Sequence, residues 1–450
     1  MQRRNIPFNW VFILGIFFLA SVFLLTNVGV GYLPLGQIGY AIAPSVVINQ
    51  KDNALNLLSS LQRTPIIAYP AGWIAAGTTP AVVKFIHCGD QKCAANNVVQ
   101  SFPSTLFTKA VSVIWGSDGL PMIANFVKYY GVFGIKCLDP NCSTSTNPNL
   151  LYPDVVDSSI SYTSLVMKNH YGGVPFYLYR NYFYAVAVKC ITPSCTNAVY
   201  NVLNFGSTSS TIGIAFDMAI QLASTPNARP IIVDVPFPFP MAPRKLVVRK
   251  CVDASCLNPP IVTVLDNDVG SSPADPYPQS GPKMVLDPED VPAIVFRDSV
   301  SGNIVVYGCL DFDCTQFNSV ILPYAGRQIS AAFAADSSLV ISYQKPVGLN
   351  GLPELRFIRC ADVTCNTITT EKRVDAGTDT GYHSKTVMGI DSKPLIVYYA
   401  IRGTATVLKA LKCRDMDCTA QTVTVLDPNT NLPPSELATN FVFSPPSVDV

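Results

Sequence analysis

Short apolar runs recur along residues 54 to 427 and are separated by polar segments rich in Gly, Pro, Asp and Asn. Runs of this length are typical of β-strands, and the residues between them are typical of turns. The clearest case is the segment 283–324, where KMVLD, PAIVF, NIVVYGC and NSVILPY predict four successive strands, A to D. Similar four-strand units can be laid out along the chain, which predicts an all-β protein.

A proline marks the start of the predicted B strand in most of these units. Proline suits the first residue of a strand, because its missing N–H breaks no bond between strands there. The marked runs are PIIAY from Pro65, PMIAN from Pro121, PFYLY from Pro175, PIIVD from Pro230, PAIVF from Pro292 and PLIVY from Pro394. Only the sixth unit, with LVISY from Leu339, lacks the proline.

All 14 cysteines fall into C-x4-C pairs, one pair between the predicted C and D strands of each unit. First cysteines of successive pairs are 49 to 61 residues apart, a spacing typical of propeller blades. Local pairing with no cysteine left over indicates disulfides, and the spacing fits zinc knuckles poorly. The pairs are Cys88 with Cys93, Cys137 with Cys142, Cys190 with Cys195, Cys251 with Cys256, Cys309 with Cys314, Cys360 with Cys365, and Cys413 with Cys418.

Seven such units predict a seven-bladed β-propeller in which one disulfide clips the C–D hairpin of each blade. An open stack of hairpins and two smaller propellers are the alternatives. We expect each disulfide to join facing strands at the outer rim. The third motif position is Asp in six copies and Thr192 in the other, and we interpret it as a turn cap. Asp occupies positions 90, 139, 253, 311, 362 and 415.

The N-terminus contains an uncharged apolar segment that is long enough to cross a bilayer. Arg3 and Arg4 precede it, which predicts a cytoplasmic N-terminus by the positive-inside rule. A cleaved signal peptide is the alternative, although its apolar region would be shorter. We therefore expect a single N-terminal transmembrane helix at 10–33 and a membrane protein whose C-terminal domain is extracytoplasmic, at a cell or particle surface.

The domain organisation follows from these segments. We expect a cytoplasmic N-terminus at 1–9, the signal anchor at 10–33, a stalk at 34–52 and the propeller at 53–430. Residues 431–450 form a tail whose pairing with the first blade would latch the ring.

The repeat resembles a cysteine-hairpin repeat found in tandem in exported bacterial proteins, where G-L-P-x-I-x-Y precedes L-K-x-x-x-C-x-D-x-x-C. The matching segments are DGLPMIANF at 118–126, KLVVRKCVDASC at 245–256 and LKALKCRDMDC at 408–418. This resemblance covers residues 54 to 427. It implies a propeller-like fold at a surface, and this family of largely unknown function has no established active site to carry over.

The sequence contains no catalytic motif, phosphate-binding loop or metal-ligand motif, so we expect no enzyme activity, no cofactor and no metal. Charged residues make up only 14% and the net charge is +1, which argues against nucleic acid as a partner. A hydrolase would need titratable residues at the central channel. Predicted A strands such as SVIW and KTVMGI are too apolar for that expectation.

Binding is therefore expected in the long loops on the face opposite the disulfides. Basic residues that precede five of the first cysteines are expected to form a solvated rim, partly offset by the Asp in each turn. We predict a protein-interaction or surface-structural module, with the lipid bilayer as a second partner through 10–33; a glycan-binding, lectin-like propeller is the first alternative and a hydrolase the second. The candidate binding residues are Trp73, Tyr182, Phe237, Phe239 and Tyr277.

Overall fold

The apolar runs form seven four-stranded antiparallel sheets in the computed structural model. The structure describes residues 64–71, 82–103, 108–127, 130–153, 164–169, 174–180, 185–203, 215–221, 229–235, 245–269, 281–298, 300–346, 352–432, 434 and 447–450. Blade numbers follow chain order.

The strands have the following bounds. Blade 1 contains β1 (Ile66–Ala71), β2 (Val82–His87) and β3 (Val98–Pro103). Blade 2 contains β4 (Thr108–Trp115), β5 (Pro121–Val127), β6 (Gly131–Lys136) and β7 (Asn149–Pro153). Blade 3 contains β8 (Ser164–Asn169), β9 (Pro175–Arg180), β10 (Ala185–Cys190) and β11 (Ala198–Leu203). Blade 4 contains β12 (Ala215–Gln221), β13 (Arg229–Val235), β14 (Leu246–Lys250) and β15 (Ile261–Asp266).

The remaining blades follow the same plan. Blade 5 contains β16 (Lys283–Leu286), β17 (Pro292–Arg297), β18 (Asn303–Cys309) and β19 (Phe317–Ala325). Blade 6 contains β20 (Arg327–Phe333), β21 (Leu339–Lys345), β22 (Glu354–Cys360) and β23 (Ile368–Arg373). Blade 7 contains β24 (Thr380–Met388), β25 (Pro394–Arg402), β26 (Ala405–Cys413) and β27 (Gln421–Asp427), and the last strand described is β28 (Ser447–Asp449).

The four strands predicted in the fifth unit are therefore confirmed, and the sheets form a seven-bladed propeller. The B and C strands carry continuous apolar runs because both of their faces are covered by neighbouring blades. The D strands show alternating exposed positions, as expected at the outer edge of a blade.

Seven apolar clusters hold the ring together, and each lies between two neighbouring blades. The cluster that closes the ring packs Ile67 and Tyr69 of blade 1 against Leu395, Tyr399 and Leu408 of blade 7. All five side chains are fully buried. Burial of a large side chain contributes about 2 kcal/mol, so the interfaces between blades form the core of the fold.

The tail also closes the ring through backbone pairing. β28 pairs antiparallel with β1, with Ile66 opposite Asp449 and Ala68 opposite Ser447. It supplies the innermost strand of blade 1, so that blade combines strands from both ends of the described chain. The Asp427 carboxylate of blade 7 adds a side-chain link, because it accepts hydrogen bonds from Tyr69 Oη at 2.8 Å and Lys84 Nζ at 2.6 Å.

Seven disulfides form with the predicted pairing, but the expected position of the second cysteine on the facing strand is wrong. In every blade this cysteine lies in the turn before the D strand, with a left-handed φ of 50° to 56°. Its N–H donates to the backbone carbonyl three residues earlier, at 2.9 to 3.3 Å, which curls the short C-x4-C segment before the facing strand is reached. The correction applies to Cys93, Cys142, Cys195, Cys256, Cys314, Cys365 and Cys418.

The disulfides are also buried against the preceding blade, which the sequence did not predict. All 14 cysteines are buried, and each disulfide packs in the apolar cluster shared with the preceding blade. In blade 5, for example, Cys309 and Cys314 pack with Ile231 and Val233 of blade 4. The disulfides therefore fill space between blades in addition to closing the turns. We call the segment from first to second cysteine a clipped turn.

The acidic residue in the clipped turn is a cap, as the sequence predicted. In blade 5 the carboxylate of Asp311 accepts backbone N–H groups of Asp313, Thr315 and Gln316 at 2.8 to 2.9 Å. These hydrogen bonds lower the pKa of Asp311, although partial burial opposes the shift. Thr192 makes a weaker cap in blade 3, with one N–H bond of 3.3 Å from Thr196.

The basic residues before the first cysteines do not form the solvated rim expected from the sequence. Lys136 and Lys412 are buried, and their ammonium groups donate to Asp118 at 2.8 Å and Asp391 at 2.6 Å. Both partners lie in the A–B turn of the same blade, which therefore shares a face with the clipped turn. These pairs could not be predicted from local patterns because the acid and base are about twenty residues apart.

The predicted membrane segment, residues 10–33, lies outside the described residues. Within the described ranges there is no helix with the length and hydrophobicity needed to span a bilayer.

Candidate functional site

The candidate binding residues predicted from the sequence lie outside the described residues. The structure therefore leaves these five aromatic residues as predictions: Trp73, Tyr182, Phe237, Phe239 and Tyr277.

Side chains of the innermost strands link each blade to the next around the channel. In four blades a Ser or Asp side chain on the A strand accepts the backbone N–H of a residue on the neighbouring A strand, at 2.9 to 3.1 Å. In blade 2 the acceptor Ser112 directly precedes Val113, the residue that donates to blade 1. In the other blades, the residue directly before the donor is therefore at the position that corresponds to Ser112. The acceptor–donor pairs are Ser447 with Val113, Ser112 with Met167, Asp217 with Met284 and Ser330 with Thr386.

Two lysines occupy this position in blades 5 and 7. Lys283 precedes the donor Met284 in β16, and Lys385 precedes the donor Thr386 in β24. Ser or Asp at this position tightens the ring by accepting a backbone N–H. Lysine has no acceptor and cannot do so. The two lysines, like Val166 in blade 3, therefore interrupt this pattern of acceptors, but the lysines do so with a charged group.

The lysines are part of a mixed-charge group at the central channel. Lys385 lies within electrostatic range of Lys168, Lys283, Asp217 and Asp449. The five residues lie on β24, β8, β16, β12 and β28, the innermost strands of five different blades. Such strands surround the channel, so these side chains meet there. We call Lys168, Asp217, Lys283, Lys385 and Asp449 the channel cluster.

The carboxylates of the channel cluster are already engaged by backbone groups. Asp217 accepts the N–H of Met218 at 2.9 Å and that of Met284 at 3.1 Å, and Asp449 accepts the N–H of Trp115 at 2.7 Å. By contrast, none of the three lysine ammonium groups forms an ion pair or hydrogen bond with another residue in the described part of the chain. Among the described residues, the channel cluster therefore presents three ammonium groups without a direct counter-ion.

The environment of Lys385 weakens its positive charge. Burial, together with the nearby Lys168 and Lys283, lowers the pKa of Lys385 to about 8, whereas Asp217 and Asp449 oppose the shift. Its side chain is still partly accessible to solvent. A counter-charge at direct contact would stabilise the ammonium form of a lysine in this position.

His383, on the same strand, is a second polar residue without a full set of partners. It is 7% exposed and has a left-handed φ of 49°, and its Nε2 has no hydrogen-bond partner among the described residues. Its backbone N–H donates to Gln328 Oε1 at 2.7 Å. Burial lowers the pKa of His383 to about 4, and Lys283 contributes to the shift, so the imidazole is neutral at physiological pH.

A chain of hydroxyl groups between blades 6 and 7 fixes the strand that carries Lys385. Thr386 Oγ1 donates to Ser342 Oγ at 2.7 Å, Ser342 Oγ donates to Ser384 Oγ at 3.0 Å, and Ser384 Oγ donates to the Gln328 carbonyl at 3.0 Å. All four residues are buried. The two neighbours of Lys385 are thus held on both sides, which orients the lysine.

The expectation that the channel lacks titratable residues is wrong. The segment KTVMGI, which the sequence analysis treated as apolar, begins with Lys385 itself. Each of the other charged residues is also isolated in a mainly apolar strand, such as Asp217 in AFDMAIQ. One charge per strand gives no motif, and only closure of the ring brings five of them together. No group of His, Cys, Asp or Glu able to hold a metal ion occurs among the described residues.

Comparisons with known proteins found similarity only to solved structures. No family model and no curated protein matches the chain. An endo-arabinanase from Bacillus licheniformis is 11% identical, with 58% of this chain and 91% of that chain covered at a TM-score of 0.30. A mutant Aleuria aurantia lectin in complex with α-methyl-L-fucoside is 10% identical over 72% and 96%, at a TM-score of 0.44. An intramolecular trans-sialidase from Ruminococcus gnavus is 13% identical, with 65% of this chain and 90% of that chain covered at a TM-score of 0.39.

Proposed function

We propose that this protein is an exported β-propeller that binds a small anionic molecule in its central channel. The observation that carries this proposal is the convergence of Lys168, Lys283 and Lys385 without an ion-pair partner among the described residues. Ammonium groups that share an enclosed space repel one another and lose solvation, which costs stability. A fold keeps such an arrangement when a ligand uses it.

The arrangement favours a compact anion with oxygen atoms on more than one side. The lysines come from blades 3, 5 and 7, so they approach the channel from different directions. Each charge-assisted hydrogen bond to an anion contributes about 1.5–3 kcal/mol. The two aspartates accept backbone N–H groups and form no ion pair with the three lysines in the described part of the chain, so direct contact with the ammonium groups is left to a ligand.

We expect binding of inorganic phosphate or malonate, measured by calorimetry and by the rise in thermal midpoint at constant ionic strength. Lys283→Met and Lys385→Met should each weaken binding by about 10-fold, equivalent to about 1.4 kcal/mol. Lys345→Met is the matched control, because Lys345 is exposed on β21. Equal binding by wild type and both channel variants would contradict the proposal, as would an equal loss in the Lys345 variant.

Export and membrane attachment are further parts of the proposal. The seven disulfides support an oxidising compartment, and the uncharged segment at 10–33 behind Arg3 and Arg4 supports an uncleaved anchor. The test is alkaline carbonate extraction combined with protease accessibility in intact cells. Retention of the full-length chain in the pellet, with the propeller accessible from outside, is expected. Release as a shorter soluble chain would identify a cleaved signal peptide instead.

Protein binding is a second candidate function, and apolar side chains on the clipped turns favour it. Leu138, Ile191, Leu257, Leu310 and Phe312 are between 49% and 60% exposed in or next to these turns. Exposed apolar residues that repeat on one face are typical of an interface. A protein partner should protect this face from hydrogen exchange and lose affinity for Leu138→Ser/Leu310→Ser. Protection confined to the opposite loops would instead support the contact face predicted from the sequence.

A further inference from the structure

We propose that Lys385 is a reactive amine that condenses with the carbonyl group of a small 2-oxo acid. This inference rests on the proposed function, because the carboxylate of the acid is the anion that the channel binds. It goes further by assigning a covalent step to one residue and a carbonyl group to the ligand.

The geometry separates Lys385 from the other lysines of the channel cluster. Its neighbours Ser384 and Thr386 are buried and fixed by Gln328 and Ser330, with distances of 3.0 and 2.9 Å. Lys385 between them is partly exposed as a residue. A lysine whose backbone is fixed on both sides can present its amine in a constant direction, as nucleophilic catalysis requires.

The surrounding charges favour the neutral, nucleophilic form of this amine. Lys168 and Lys283 face Lys385 from β8 and β16, and Asp217 and Asp449 face it from β12 and β28. Burial and the two lysines outweigh the two aspartates and lower the pKa of Lys385 to about 8. A useful fraction of the amine is therefore neutral near physiological pH. Lysine next to other cations, or removed from water, is activated for imine formation in this way.

The reaction balances without any further reagent. The neutral Nζ of Lys385 attacks the carbonyl carbon, a C–N bond forms, and a proton moves to the carbonyl oxygen. Loss of that oxygen as water leaves an imine, and no atom is oxidised or reduced. In a 2-oxo acid the carboxylate is bonded directly to the carbonyl carbon. Lys168 and Lys283 can therefore hold the carboxylate while the carbonyl carbon faces Lys385.

The test is reductive trapping of the full chain with pyruvate and sodium cyanoborohydride, followed by intact mass and peptide mapping. The expected product is one carboxyethyl group on Lys385, formed with a midpoint near pH 8. Lys385→Arg should abolish this adduct, and Lys345→Arg should not change it. Lys283→Met removes one neighbouring cation and should move the midpoint to higher pH, which a purely structural role of Lys283 would not do.

Two comparisons distinguish this inference from the proposed function. Acetone, which has the carbonyl but no carboxylate, should label Lys385 at least 10-fold more slowly than pyruvate, since a lost charge-assisted contact corresponds to about 1.4 kcal/mol. If phosphate and malonate bind but pyruvate leaves Lys385 unmodified, the reactive amine is refuted and the anion site stands. If neither anions nor pyruvate act on the channel, both proposals fail. Uniform labelling of many lysines would also refute the specific reactivity of Lys385.

Discussion

Lysines next to the clipped turns and lysines at the central channel carry the same charge, but the structure treats that charge in opposite ways. At the clipped turns the Lys412 ammonium donates to the Asp391 carboxylate at 2.6 Å and to the Lys393 carbonyl at 2.7 Å. In the channel Lys385 has no such partner in the described part of the chain. The outer lysines therefore stabilise the fold, whereas the channel lysines are the groups that we propose bind a ligand.

The outer charges also join neighbouring blades in a repeated way. The residue before the first cysteine of one blade contacts the residue before the second cysteine of the next blade. This contact is His87 Nδ1 to Asn141 Oδ1 at 2.7 Å between blades 1 and 2, and Arg359 Nη1 to Asp417 Oδ1 at 3.1 Å between blades 6 and 7. Lys250 and Asp313 form the same link between blades 4 and 5. Hydrogen bonds and ion pairs in this outer ring therefore reinforce the packing of the blades.

The largest loss of stability is expected when deletion of the C-terminal strand opens the ring. Deletion of residues 447–450 removes β28, its pairing with β1 and the bonds from Ser447 and Asp449 to blade 2. At about 1 kcal/mol per hydrogen bond, together with burial of Val448, the free energy of unfolding should fall by about 5 kcal/mol. Urea denaturation measures this loss, and hydrogen exchange should increase in β1 and β4. Deletion of Val450 alone is the control, and equal stability of both truncations would contradict ring closure by the tail.

A smaller loss is expected when one outer lysine loses its partner. Asp391→Ala leaves the buried Lys412 without a carboxylate and should destabilise the protein by about 3 kcal/mol. Adding Lys412→Met should restore most of this loss, because a neutral side chain removes the unpaired buried charge. Chemical denaturation of both variants measures the effect. A double variant as unstable as Asp391→Ala would show that the turn, not the charge pair, accounts for the loss.

Removing the charge of a channel lysine should instead raise the free energy of unfolding, and the size of this gain should depend on pH. The pKa of Lys385 is about 8 in the folded protein and about 10.4 in the unfolded chain, so the unfolded state binds more protons between these values. The penalty of this lysine is therefore full below pH 8 and disappears as pH rises toward the unfolded value. At pH 7 Lys385→Met should stabilise the protein by about 1–2 kcal/mol, since partial exposure reduces the effect. A stability difference that stays constant from pH 7 to pH 10 would contradict this explanation.

The smallest effects are expected at the turn caps. Asp311→Asn should cost about 1 kcal/mol, and Thr192→Asp should gain a similar or smaller amount by restoring the better cap. Because hydrogen bonds lower the pKa of Asp311, its contribution is present above about pH 4 and is lost as pH falls below that value. Thermal unfolding at pH 7 and pH 3 measures both changes. A Thr192→Asp variant that is less stable at pH 7 would contradict the cap interpretation.

Local patterns in the sequence predicted the blades, the disulfide pairing and the Asp caps, because each depends on residues close together in the chain. The position of the second cysteine was not predicted, because its left-handed backbone follows from the turn and leaves no mark beyond the spacing. The channel cluster was missed for a different reason. Lys168, Asp217, Lys283, Lys385 and Asp449 come from five blades, and their proximity depends on the closed ring.

The most direct test compares the free energies of unfolding of Lys385→Met and Asp391→Ala at pH 7, without added anion. We predict opposite signs, with Lys385→Met more stable than the wild type and Asp391→Ala less stable. We also expect added malonate to stabilise wild type and Asp391→Ala but to have much less effect on Lys385→Met. If Lys385→Met is destabilised and still responds to malonate like the wild type, the lysine is structural and the channel is not an anion site.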